Sequence, residues 1–411
     1  MPSSKALTNP VTGSGRIELL DIYRGFALFG IYMVNIRFMS SSVIYGGEFE
    51  WMKNGTLNQS IWWILQHFFN EKFFPIFSFL FGVGFGMQIV KMEEKKSFSA
   101  GFFFRRYFIL MVFGIIHVVF LWPGDVLILY ATAGMLLLVL RKVPLKYLMV
   151  LGLIILLFPF YLQLRNLINQ GLISGGFKSL MYLYDYSYND IVDLKVNGTF
   201  YEKLRFRIHE YSVYYRNVEY FPLLFSMIIT GYCAGKVKFY NRIPEILTKL
   251  KYVALIVFIY IISIHIIYFT IDRPGNFIAQ VLLKKSMMLS NIFQAFLYLY
   301  LISWLYLKRY VIKILQPLTS AGRMSLTNYM MYSVVAVLVF NGVLKYYGKF
   351  DLVALELFAF VVFVLLVVGS KYWLNNFRYG PLEWIWRELS YRKYLDFRIN
   401  ENIHISNNKR L

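Results

Sequence analysis

The sequence predicts an all-α protein, a polytopic transmembrane helix bundle of about ten helices with both termini cytoplasmic. Three observations carry that expectation. Of 411 residues, 58% are hydrophobic and 19% aromatic, and only 16% are charged, against about 25% charged in a soluble domain. Apolar runs near the roughly 20 residues that a bilayer core requires recur along the whole chain. The basic residues fall between those runs, and mostly on one side of them.

Taken in order, the spans are expected at 19–39, 73–90, 107–122, 126–140, 147–164, 220–235, 252–271, 286–306, 324–343 and 352–370. The polar stretch before the first has neither the charged start nor the small-residue cleavage site of a signal peptide, so the first helix is expected to be retained. Several spans are short, which a bundle tolerates where flanking Lys and Arg snorkel. Gly82 and Gly86 follow no strand and precede no phosphate-loop lysine; they read as sites of close helix packing. Pro123-Gly124-Asp125 alone joins the third and fourth spans, as a tight turn.

With the N-terminus inside, inner segments hold 27 Lys and Arg against 9 Asp and Glu with Asp21 counted among them, and outer loops 14 against 13 with Glu356 counted among them. That partition obeys the positive-inside rule in this register and inverts in the other. Three regions follow: a polar cytoplasmic N-terminus (1–18), a transmembrane domain (19–374) and a cytoplasmic interfacial tail (375–411) rich in Trp and basic residues. The outer loop at 165–219, with a helical-looking stretch at 200–217, is expected to fold over the outer mouth.

The net charge of +21 is thereby a topology signal, and no separate basic domain with interleaved aromatics points to nucleic acid. Cys233 is the single cysteine, so one chain can form no disulfide and no cysteine metal site. The partners implied are the lipid bilayer and a small-molecule substrate; a homo-oligomer is compatible with the sequence.

Several polar residues stand where water is scarce. Asp21 and Arg24 share a helix face at the inner end of the first span, either as a structural ion pair or as part of a site. His117 and Asp125 bracket the tight turn, which folds them toward each other near the outer surface, where an acceptor would arrive. An imidazole oriented by a carboxylate serves as a general base, relays protons, or simply closes a hairpin. Arg105, Arg106, Arg323, Arg378 and Arg387 suit phosphate groups, although inner-edge anchoring also explains them. Glu383 reads as an acid at that site or an ion-pair partner. His265, Asn291, Gln294 and Asn328 are intramembrane polar residues that could line a cavity, while His209 and His404 lie in loops.

The pattern Leu20-Asp21-x-x-Arg24-Gly25, then Val34-Asn35, then Phe77-Ser78-Phe79-Leu80-Phe81-Gly82, resembles the YeiB-like family of bacterial membrane proteins, a domain of unknown function. Gly114-x-x-His117, Gly124-Asp125-Val126-Leu127 with Tyr130-Ala131, the block from Gly322 to Tyr329 and the block from Arg378 to Arg387 are similar to the same family. That family is similar in turn to membrane acyltransferases of the acyltransferase-three and heparan-alpha-glucosaminide N-acetyltransferase types, which share the opening signature. In the former a functional His usually follows at the outer end of the first helix, where this chain has Asn35. His67 lies in the next segment without the surrounding motif, so the role is not carried over to it.

The resemblance implies a protein of the bacterial cytoplasmic membrane that transfers an acyl group from a cytoplasmic donor such as acyl-CoA (acetyl-CoA) to an extracytoplasmic or membrane acceptor. His117, Asp125 and Asn35 are then the expected catalytic residues. Asp21, Arg24, Arg323, Asn328, Glu383 and Arg387 are the expected substrate-binding residues, with no metal and no covalently bound cofactor. The alternative is a small-molecule or proton-coupled transporter, in which the same polar residues form a path without covalent chemistry.

Overall fold

Each of the ten expected apolar segments centres on a helix in a computed structural model of the protein, which describes residues 16–42, 54–172, 187–215, 220–270, 277–308 and 312–399. Residues 1–15, 173–186 of the outer loop, and 400–411 of the tail with His404, lie outside the described residues. The helices are α1 (Glu18–Ser40), α2 (Thr56–Ile64), α3 (Phe73–Glu94), α4 (Ala100–Phe120), α5 (Leu127–Leu140), α6 (Leu145–Leu172), α7 (Tyr188–Asn197) and α8 (Phe200–Tyr215). They continue with α9 (Tyr220–Lys236), α10 (Ile243–Lys249), α11 (Lys251–Thr270), α12 (Phe277–Tyr306), α13 (Ile312–Arg323), α14 (Ser325–Phe340), α15 (Leu352–Asn376) and α16 (Pro381–Tyr391). Among the described residues no strand forms beyond one isolated bridge, Phe377 with Arg398.

Six helical runs are long and apolar enough to cross a membrane, and eight if each of two sharply bent pairs counts as one span. The shortfall from ten comes from α5 and the apolar part of α6, Leu145–Phe158, which are shorter apolar helices. Apolar side chains also face outward: Val253, Leu255, Ile256, Ile259 and Ile266 on α11, and Phe360, Val361 and Leu365 on α15, are all exposed. Water would not tolerate patches of that extent on a soluble chain; lipid does.

Helices α3 and α9 cross in close contact. A Cβ on Gly82 would lie 2.1 Å from the Ile228 carbonyl oxygen, and one on Gly231 would lie 1.9 Å from that of Phe79. Two glycines facing two backbones bring the axes together, and dispersion replaces the hydrophobic drive that lipid cannot supply.

Three breaks interrupt these helices, and each strands backbone groups that a bilayer cannot hydrate. Between α2 and α3 a π-helical turn, Leu65–Phe69, leaves carbonyls that side chains satisfy. Lys72 donates to Gln66 and Asn70 at 3.0 and 2.9 Å, Gln294 to His67 at 3.0 Å, and Tyr298 to Phe68 at 3.0 Å. Asn291 donates to Glu71 at 2.9 Å beside them. A second break bends α9 into α10 by 65°, and a third bends α13 into α14 by 82°. At the third, Asn328 donates at 3.2 Å to the Ala321 carbonyl, which also accepts from the Met324 amide.

Helices α7 and α8 pack at one end of the bundle. Lys195 pairs with Glu210, and Ser42, just past α1, donates to Glu210 at 2.7 Å. The tail helix α16 docks at the other end, where Trp386 donates to the Arg106 carbonyl at 2.7 Å and Phe102 packs on Tyr391.

Candidate functional site

Where α1, α3, α4, α5, α14 and α16 converge they enclose a cavity of about 220 Å³. One part of its wall carries five arginines, Arg16, Arg24, Arg106, Arg323 and Arg387, with Glu383 the acid among them. The remaining wall is apolar and aromatic, including Phe81, Leu110, Val126, Tyr130 and Tyr329.

The arginines are unequally compensated. Asp21, almost fully buried, holds Arg24 at 2.7 Å and also pairs with Arg16. Arg106 lies 3.7 Å above the Trp386 ring and Arg387 4.7 Å above that of Tyr379. Among the described residues Arg323 Nε has no hydrogen-bond partner. Burial, and then the nearby Arg16, hold the Arg387 guanidinium below its usual pKa, with Tyr379, Tyr391 and Glu383 acting against them. Guanidinium forks in such a setting match phosphate or carboxylate oxygens.

Beyond the aromatic wall, α4, α5 and α14 bring three polar side chains together, all 0% exposed. His117 Nδ1 lies 3.3 Å from Asp125 Oδ1, and His117 Nε2 lies 2.8 Å from Ser333 Oγ. Asp125 Oδ2 accepts from the Ile128 amide at 2.9 Å, capping the start of α5 and fixing the carboxylate. Gly114 makes the approach possible, since a Cβ there would fall 2.7 Å from Asp125 Oδ2. The ring of Tyr329, which also walls the cavity, lies 4.9 Å from that of His117.

The fold therefore unites the expected pair His117 and Asp125, and gathers Arg24, Arg323, Arg387 and Glu383 around one cavity. It corrects the placement of the pair, which is wholly buried and not at an outer surface open to an acceptor, because α14 packs across the hairpin. Asn35 is half-buried on α1, outside the cavity wall and the His117 group. Asn328 is held in the α13–α14 break, bonding Ala321 and Ser370, and is not part of the wall. His265, Asn291 and Gln294 belong to the neighbourhood of the α2–α3 break, with His265 ring to ring with His67 at 5.3 Å. Arg105 donates to the Ser390 carbonyl, and Arg378 pairs with Asp396, both away from the cavity.

Sequence reasoning missed Ser333, Arg16 and a cavity role for Tyr329. A lone Ser in an apolar helix is usually satisfied by its own backbone, and Ser333 stands 216 residues from its histidine. Arg16 could have been found as a cation five residues before Asp21.

A family model described as "Protein of unknown function (DUF418)" matches residues 234–393. That span holds Arg323, Ser333, Glu383 and Arg387, whereas Arg24, His117 and Asp125 lie before it. Over 399 residues the chain is 30% identical to the uncharacterized protein YxaH of Bacillus subtilis, covering 93% of this chain and 96% of that one. It is 28% identical over 402 residues to the uncharacterized protein YeiB of Escherichia coli, covering 91% and 96%. An uncharacterized 39.9 kDa protein of Bacillus acidopullulyticus is 27% identical over 390 residues, covering 94% and 96%.

Proposed function

This chain belongs to the YeiB-like family of proteins of unknown function, and from that premise we propose that it is an acyltransferase of the bacterial cytoplasmic membrane. The carrying observation is the cavity that has five arginines on one part of its wall and, on another, Tyr329 in contact with His117. In this reading ten helices span the membrane, α5 and α6 included, both termini are cytoplasmic, and the arginine end of the cavity faces inward.

The phosphates of an acyl-CoA then sit among Arg106, Arg323 and Arg387, which have no carboxylate partner within 4.0 Å among the described residues. The apolar wall takes the pantetheine arm and the acyl chain. His117, beside Asp125, is the base that moves protons as the thioester C–S bond breaks and the acyl group passes to an acceptor hydroxyl, whose proton ends on the CoA thiolate. Arg24, clamped by Asp21, supports the cationic wall, and Glu383 holds the start of α14 in place.

Transport is the second reading, favoured by the bent helix pairs, because discontinuous helices commonly frame transporter sites. Isothermal titration of purified protein with acetyl-CoA and with CoA separates the two. Binding that weakens at least tenfold in Arg323→Ala/Arg387→Ala, together with CoA release that falls about 10² to 10⁴-fold in His117→Gln, supports the transferase. Failure of wild-type protein to bind either ligand rejects it.

A further inference from the structure

A single-step transfer would require donor and acceptor to meet at once beside a fully buried imidazole. The arginines gather where α13 ends and α16 docks, whereas His117 and Asp125 stand at the α4–α5 turn. Helices α4 and α14 touch both places, and α14 brings a hydroxyl to the imidazole. Helix α14 contributes Ser325, Leu326 and Tyr329 to the cavity wall and then presents Ser333 to His117. Eight residues separate Ser325 from Ser333, about 12 Å along a helix axis, a distance that a pantetheine arm reaches.

Ser333 has a local partner, the Tyr329 carbonyl one turn back at 3.3 Å. That contact is all a serine in an apolar helix needs. The 2.8 Å approach of its Oγ to His117 Nε2 is shorter and goes beyond that need. With Asp125 3.3 Å from Nδ1, the order is carboxylate, imidazole, hydroxyl, the arrangement by which a neutral hydroxyl is made nucleophilic.

Resting on the transferase reading, we propose that Ser333 is the nucleophile of a two-step transfer, carrying the acyl group as an ester between donor and acceptor. In the first step Ser333 gives its proton to His117 Nε2 and Oγ bonds to the thioester carbonyl carbon. The C–S bond breaks, and the CoA thiolate takes the proton from His117. In the second step an acceptor hydroxyl gives its proton to His117 and attacks the ester carbonyl, and Ser333 Oγ leaves with that proton. Tyr329, whose ring stands between the cavity and His117, turns aside to admit the thioester. The covalent carrier removes the need for donor and acceptor to share one buried space.

The test is a single-turnover experiment with purified wild-type protein and radiolabelled acetyl-CoA, without an acceptor. The expected result is a burst of one CoA per protein and label on the peptide containing Ser333, stable to neutral hydroxylamine and cleaved by alkaline hydroxylamine. Ser333→Cys should move the label to a thioester cleaved at neutral pH. Ser333→Ala should bind acetyl-CoA as tightly as wild type and release CoA at least ~10²-fold more slowly. Acetyl-CoA binding without a burst, or CoA release with no label on Ser333, overturns the serine relay and leaves the transferase reading standing. If acetyl-CoA is neither bound nor consumed, both fall.

Discussion

Glu383 accepts a hydrogen bond from the backbone amide of Leu326, 57 residues earlier, at 2.7 Å, so a carboxylate on the tail helix caps the start of α14. The Thr327 amide at 3.1 Å and its hydroxyl at 2.6 Å complete the cap. This bond fastens α16, with Arg387, to α14, with Ser333. Glu383→Ala strands three donors and should cost about 1 to 3 kcal/mol, read as a lower melting temperature in detergent, with Glu383→Gln losing less.

The same carboxyl gives a pH signature. Burial pushes its pKa above the ordinary 4.5, against the hydrogen bonds that lower it. A group that holds its proton more tightly when folded contributes stability below the unfolded pKa and loses it as pH rises through the folded one. Raising pH above about 4.5 should therefore lower the wild-type melting temperature more steeply than that of Glu383→Gln. Parallel profiles would contradict the shift.

Asp21 serves two guanidiniums, so its loss and the loss of one partner are unequal. Removing a member of a buried pair costs on the order of 3 kcal/mol. Arg24→Ala leaves Asp21 paired with Arg16 and should destabilise less than Asp21→Ala, which frees both arginines. A double-mutant cycle with additive losses of melting temperature would count against the coupling.

The α3–α9 crossing leaves no room for a methyl group. Gly82→Ala and Gly231→Ala should each destabilise by about 1 to 3 kcal/mol through overpacking, despite the better helix propensity of Ala. Gly369 on α15 is the control, because no atom lies within 4 Å of a Cβ there. Gly369→Ala should be neutral or stabilising by up to about 1 kcal/mol, and equal effects at all three positions would refute the crossing.

Membrane orientation is testable by fusion. A reporter active only outside the cytoplasm should work when fused near Asp190 and fail near Lys95 or after Lys393. The reverse pattern would invert the assignment of the arginine cavity to the inner side.

Much of the architecture was legible because apolar length and residue spacing are local properties. The helices at 18–40 and 352–376, the glycines of α3 and the pairing of Asp21 with Arg24 follow from spacing alone. The polar residues were harder to read. Asn328 looked like a ligand contact, yet bonds the Ala321 carbonyl, and Gln294 likewise bonds that of His67. Both bond carbonyls beside helix breaks that no periodicity reveals.

What the sequence by itself determined is the run of long apolar helices and the meeting of His117 with Asp125, because apolar length is local and a tight turn can fold residues eight apart toward each other. Only the tertiary structure decided that Ser333 completes that group, that five arginines share one cavity, and that the group is sealed from water. Those relationships depend on how α14 crosses the α4–α5 hairpin and how α16 docks beneath it. Such crossings are set by side-chain packing between helices distant in sequence, which the order of residues along any one helix does not encode.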